Sequence, residues 1–293
     1  MAELTMTLRA LGRQLITIVL VALLGGLLGA LLVRLAPGFG THDEDLSTQL
    51  SAASRQAVHA QDEAERHVFT YYVHYVGGLL HGDLGYSRSL DRPISELLRD
   101  RAPETLRSIG TGVCGGWLLG LGLALPATWK RSPAYSTLAT LITGIFLCIP
   151  SAVLALLFLV VGSPGRIAIA LIVFPKVFRF SRNLLLKTYA MPHILTAKAR
   201  GLGGLRILCW HVFPNLAGPM LALAGVTVSM ALGAAIPVEV VCDYPGIGQL
   251  AWKAALARDV PLLVNLTLII AVITVVANSF ADLLAPAATR DLI

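Results

Sequence analysis

Three histidines, His67, His74 and His81, recur every seven residues, a spacing that would set them on one helix face as a nickel ligand set. Gly77 and Gly78 break such a helix before His81, and the register drifts by about 20° per heptad. The series reads as a surface or interfacial feature, and no metal site is expected. Cys114, Cys148, Cys209 and Cys242 fall in different segments without a CxxC pair, which gives zinc and dithiol chemistry little support. No GxxxxGK[ST] loop is present to cradle phosphates, and Gly201, Gly203 and Gly204 lack its strand, spacing and lysine. If ATP drives this chain, a partner supplies the site.

Two acids remain. Glu239 sits at the end of an apolar run, where a buried charge is costly. It either faces a pore or braces the turn at Pro245 by accepting backbone hydrogen bonds, and the six-residue spacing favours the brace. Asp282 lies near the end of the last apolar run and is expected to pair with a basic neighbour such as Arg290. Neither acid has a partner for hydrolysis, so a membrane protease lacks its pair of catalytic groups.

The elements that hold these residues follow from composition. Hydrophobic residues make up 56% of the 293 and charged residues only 14%, against about 25% charged in soluble domains; the mean hydropathy is +0.73. Apolar runs approach the roughly 20 residues that cross a bilayer core, where each must be a helix that bonds its own amides. The net charge of +6 marks cytoplasmic loops rather than nucleic-acid binding.

Six crossings are expected. The first runs from Leu15 to Val33 behind Arg9 and Arg13, with no clear cleavage site after it. A polar stretch rich in acids follows to about Glu104, and Asp62 to Leu80 has the spacing of an amphipathic surface helix. Further spans cover Leu106–Trp129, Tyr135–Val161 with a kink at Pro150, Ile167–Phe174 and beyond, Leu216–Val241 and Leu262–Leu284. Pro175 and Lys176 interrupt the fourth, which crosses only if its basic residues lie at the inner end. Residues 176–206 hold seven basic side chains and no acid, the strongest inside signal in the chain. Both termini are then cytoplasmic. Residues 1–104 form one domain, a helix with an external loop, and residues 105–293 form a core of five spans. Gly25 with Gly29, and Gly116 with Gly120, have the spacing of close helix packing.

Between the fourth and fifth spans stands Thr196-Ala197-Lys198-Ala199-Arg200-Gly201-Leu202, followed by His211 and Asn215. This segment resembles the coupling loop of ABC importer permeases of the dipeptide, oligopeptide and nickel family. Other matches keep the same order: Arg34-Leu-Ala-Pro-Gly38, Gly82-Asp-Leu-Gly-Tyr-Ser87, Arg101-Ala-Pro-Glu-Thr-Leu106, Arg179-Phe-Ser-Arg182, Glu239, Pro245-Gly246-Ile-Gly248, Arg258-Asp259, Pro261, Asn278 and Asp282. The long loop with Gly-Asp-Leu-Gly is similar to that of the first of two permease subunits.

The resemblance implies an all-α integral membrane fold, the six-helix type I ABC importer transmembrane domain with a cytoplasmic coupling helix. It implies a bacterial inner-membrane location, a second permease, two cytoplasmic ATPases holding ATP and Mg, and an external substrate-binding protein. No cofactor is expected on this chain, and no catalytic residue. Thr196 to Leu202, His211 and Asn215 would couple to an ATPase; Glu239, Pro245, Gly246 and Gly248 would form the outer gate or pathway. Peptides are the implied solute, with nickel or another small solute as alternatives. The chain departs from the family in its short outer turn at Ser163–Gly165 and in having Cys242 where a phenylalanine is expected. A non-transporting scaffold derived from such a permease therefore stays open. An ion-driven transporter would need midplane acids or broken helices in paired halves, and the sequence displays neither.

Overall fold

A computed structural model describes residues 82–129, 132–162 and 164–290, with residues 12, 16–17, 19–21, 23–25, 27, 77 and 78 described as helical; at 260 and 282–290 only the backbone is described. The expected span Leu15–Val33 is thus covered only in part. Of the amphipathic helix at 62–80 only Gly77 and Gly78 are described, and both are helical; the histidine series, Gly29 and the Asp282–Arg290 pairing lie outside the described residues.

The elements are β1 (Tyr86–Ser87), β2 (Arg92–Pro93), α1 (Ile94–Trp129), α2 (Pro133–Cys148), α3 (Ser151–Val160), α4 (Arg166–Tyr189), α5 (Pro192–Ala199), α6 (Gly204–Ile207), a π-helical turn (Leu208–Val212), α7 (Phe213–Val241), α8 (Ile247–Leu256) and α9 (Val260–Arg290). They group into two compact units, one of Met1–Leu15, Arg101–Leu250 and Ile273–Ile293, the other of Ile16–Asp100 and Ala251–Val272.

In the larger unit, α4 packs on α7 and α2, and α7 also packs on α3. One buried cluster joins Ile169, Val173 and Val177 of α4 to Leu154 of α3 and to Leu223, Ala231 and Val238 of α7. A second gathers Phe178 and Leu185 of α4 with Ile194, Ala197, Ile207, Leu208 and Val212 of the following short elements and Leu216 of α7. Gly116 and Gly120 face α4, where an added Cβ would stand 2.7 Å from Val173 Cβ and Val177 Cβ respectively. The small-residue spacing does serve close helix packing.

Among the described residues, α1, the stretch Gly204–Val241 and Pro261–Ala281 are each long and apolar enough to cross a membrane. The pair α2 and α3 passes that test together but is bent by 96°, so the expected kink at Pro150 is a full break. Pro150 disfavours helical geometry in the residue before it, and Ile149 is extended at φ −84°, ψ 122°. Conversely, α4 runs uninterrupted for 24 residues through Pro175. Pro175 is buried with Val173, Phe174 and Val177, and that packing offsets a helical proline that costs about 3 kcal/mol.

The smaller unit is organised by Asp259. Its carboxylate accepts from Ser87 Oγ (2.6 Å), Ser89 N (2.9 Å), Ser89 Oγ (2.8 Å) and Leu262 N (3.2 Å). Asn265 Nδ2 donates to Leu84 O at 3.0 Å. The two-stranded hairpin of β1 and β2 is antiparallel. Its approach uses Gly82 and Gly85 at φ +78° and +76°, a region open mainly to glycine.

Candidate functional site

Two places in the larger unit gather the residues singled out from the sequence. The first is the elbow between α4 and α7. Met191 is extended and Pro192 opens α5, where a missing amide hydrogen costs nothing. An eight-residue helix is marginal alone; α5 is held by burying Ile194 and Ala197. Its far end closes with Gly201 N donating to Lys198 O (2.9 Å) and Leu202 N to Ala197 O (3.3 Å). Gly201 adopts φ +77°, a region open mainly to glycine, and turns the chain between two short helices. Half-buried Leu202 covers this second cluster with Ala197 in it.

The elbow thus has two faces. Thr196, Lys198, Ala199, Arg200 and Gly201 are exposed. Ala197 is 5% exposed, so this member of the segment expected to couple to an ATPase roots the helix and does not offer a surface to a neighbour. Lys198 Nζ lies 5.0 Å from the centroid of the Tyr189 ring. Beyond α6, Pro214 lacks an amide hydrogen, and the chain makes a π-helical turn in which Phe213 N donates to Leu208 O. Asn215 Nδ2 donates to His211 O at 2.7 Å and lies 3.3 Å from His193 Nε2. Asn215 therefore ties α5 to the start of α7. His193 was not singled out from the sequence, because nothing in its spacing places it against α7.

The second place is the turn after α7. Glu239 is fully buried. Its Oε2 accepts from Gly248 N at 2.7 Å and Gln249 N at 3.4 Å, the bracing expected of it. Gly246 leaves room for that carboxylate, since a Cβ there would overlap it. Thr105 Oγ1 accepts from Ile247 N at 2.7 Å, and Arg101 Nη1 donates to Gln249 Oε1 at 3.2 Å. Gln249 Nε2 in turn donates to Asp243 Oδ1, and Arg166 pairs with Glu104. Arg166 also stands 5.2 Å from the Tyr244 ring centroid, while Tyr244 Oη accepts from Gly165 N at 3.0 Å. Cys242 packs where Gly165 has no room for a side chain, and burial pushes its thiol pKa up. It is a packing group. Arg101, Glu104 and Thr105 were quoted from the sequence without a role; their spacing of i, i+3 and i+4 placed them on one helix face, but not what that face meets.

No group of three or more His, Cys, Asp or Glu side chains able to hold a metal occurs among the described residues.

Residues 116–290 match the family model described as "Binding-protein-dependent transport system inner membrane component". The chain belongs to this family. As an inner-membrane component of that kind it is a multi-pass membrane protein and a permease subunit of a transport system. A peptide permease protein of Brucella ovis is 26% identical over 265 residues, covering 80% of this chain and 82% of the relative. An oligopeptide transport system permease protein of Escherichia coli K12 is 26% identical over 277 residues, covering 86% and 89%. An oligopeptide transport system permease protein of Bacillus subtilis is 25% identical over 249 residues, covering 74% and 78%. Among solved structures, the methionine ABC transporter MetNI in inward-facing form aligns with TM-score 0.60 and 19% identity over 67% of this chain and 98% of that one. That likeness identifies the importer transmembrane fold.

Proposed function

We propose that this permease is one of two that form the pathway of an ATP-driven importer for short peptides, and that it hydrolyses nothing itself. ATP and Mg belong to two cytoplasmic ATPases, an external binding protein delivers the solute, and both termini of this chain are cytoplasmic. The peptide class is supported by relatives from three bacteria whose names carry peptide or oligopeptide transport.

The observation that carries the mechanism is the two-faced elbow. One face of α5 is rooted in the cluster that includes Phe178 and Leu185 of α4; the other displays Thr196, Ala199, Arg200 and Gly201. A short helix so fixed transmits a push from an ATPase into α4 and α7 without bending. Small side chains at 199 and 201 let the ATPase backbone approach closely. At the other end of α7, Glu239, Pro245, Gly246 and Gly248 form the outer gate, held by the Glu239 brace.

The test is uptake of a labelled tripeptide by the reconstituted complex. Gly201→Glu should cut ATP-driven uptake at least about tenfold with the chain present in normal amount, because its bulk and charge spoil docking. Gly201→Asn, which tolerates the positive φ, should keep most of it. Wild-type uptake by the glutamate variant would overturn the assignment.

A further inference from the structure

One side of α4 is unlike a surface that faces lipid. Its buried side holds Ile169, Val173, Val177, Ser181, Leu185 and Thr188. The opposite side carries Lys176, Arg179, Phe180, Asn183, Leu186 and Lys187, all exposed. Their spacing of i, i+3, i+4, i+7, i+10 and i+11 is a single helical stripe. These charges are why α4, though of spanning length, is not apolar enough to cross on composition alone.

Depth follows from the glycines of α1. Gly112, Gly116 and Gly120 abut Ile169, Val173 and Val177 of α4, so the two helices run parallel in fixed register. α1 ends at Trp129, an exposed indole followed in sequence by Lys130 and Arg131, the aromatic-then-basic order of a membrane–water boundary. Val177 is level with Gly120, about 13 Å before that boundary at 1.5 Å per residue. Lys176 is therefore about 15 Å inside, close to the middle of a core about 30 Å thick. A lysine stem is too short to carry its ammonium out to the headgroups from there. An exposed charge at that depth is tolerable only beside water or a counter-charge. Among the described residues none of Lys176, Arg179 and Lys187 has an ion-pair partner. Arg182 turns away to donate to Ser136 Oγ of α2 at 2.6 Å, and Arg179 reaches beside Gly144 of α2, its Nη2 3.6 Å from where a Cβ there would stand.

We propose that this stripe lines the water-filled path of the solute and that Lys176 and Arg179 bind the solute's carboxylate on its way through. The proposal rests on the transport reading above. The two cations lie one turn apart, a guanidinium fork matches a planar carboxylate, and Asn183 offers an amide one turn further on. An acidic helix of the second permease and a lipid phosphate are the competing occupants.

The experiment uses the assembled transporter with the chain's four cysteines replaced by serine or alanine and Asn183→Cys introduced. Its labelling by anionic methanethiosulfonate ethylsulfonate is compared with that by the cationic trimethylammonium reagent, each normalised to a free thiol. Water and positive potential at the stripe should favour the anionic reagent roughly tenfold, and K176Q with R179Q should bring the ratio near one while K176R with R179K keeps it. No labelling by either reagent would place the stripe against lipid or a second helix, and equal labelling would remove the carboxylate site; either overturns the proposal. Uptake supplies the second arm: the glutamine pair should slow entry of dialanine roughly tenfold but leave its C-terminal amide unaffected, whereas equal slowing of both overturns carboxylate binding. If wild type admits neither probe while the labelling ratio holds, the peptide reading alone is lost.

Discussion

Glu239 Oε2 accepts the amide hydrogen of Gly248 at 2.7 Å across nine residues of chain that contain the Pro245 turn. The same oxygen would stand 2.9 Å from a Cβ at Gly248, and Ile236 Cα only 2.6 Å. Acid and glycine thus need each other: the carboxylate satisfies buried amides that a side chain would displace.

Removing that acceptor leaves the amides of Gly248 and Gln249 buried without their partner, which costs about 1–3 kcal/mol. Glu239→Ala should lower the thermal unfolding midpoint of the detergent-solubilised complex, and Glu239→Gln, which keeps an acceptor oxygen, should lie between it and wild type. An unchanged midpoint in the alanine variant would mean that the turn holds itself.

The helix pair α1 and α4 gives a contrast within one stretch of chain. Gly116→Ala and Gly120→Ala drive a methyl to within 2.7 Å of Val173 and Val177 and should each destabilise by about 1–3 kcal/mol, the usual cost of overpacking. At Gly122 nothing lies within 4 Å of the added carbon. Gly122→Ala should be neutral or stabilise by up to about 1 kcal/mol, since glycine is a poor helix former. Melting curves of the three variants, ranked together, check both signs.

In the smaller unit, Asp259 is 2% exposed and gathers donors from Ser87, Ser89 and Leu262. Asp259→Leu should release the hairpin, so that trypsin cleaves after Arg88 roughly tenfold faster in the solubilised protein, as expected when a local opening free energy falls by more than 1 kcal/mol. Asp259→Asn, with one acceptor oxygen left, should show a smaller increase. A cleavage rate unmoved by the leucine would show that the hairpin is held elsewhere.

Much of this was legible where one residue type answers to one local need. Gly201 turns the elbow at positive φ. Glu239 lay within reach of its turn by sequence distance alone. What was not legible depends on neighbours brought from elsewhere. The inward face of Ala197 is set by Ile207, Leu208 and Leu216, which arrive after the turn. Pro175 reads as an interruption until the packing of α4 is known, whereas Pro150 reads as a kink because a sequence does not show whether anything holds the two halves straight. The chain from Arg101 through Gln249 to Asp243 joins residues nearly 150 positions apart, and no periodicity announces such a meeting.

The three glycines of α1 seated on Ile169, Val173 and Val177 carry a mechanical implication. For α1 to glide along α4 by a single turn, all three branched side chains must unseat at once, so the pair behaves as one stiff girder. The locked stretch runs from Ile169 to Val177, about 12 Å of helix at 1.5 Å per residue. A nudge that reaches Val177 is then felt at Ile169 with little lost between, because there is no slack in the joint to absorb it.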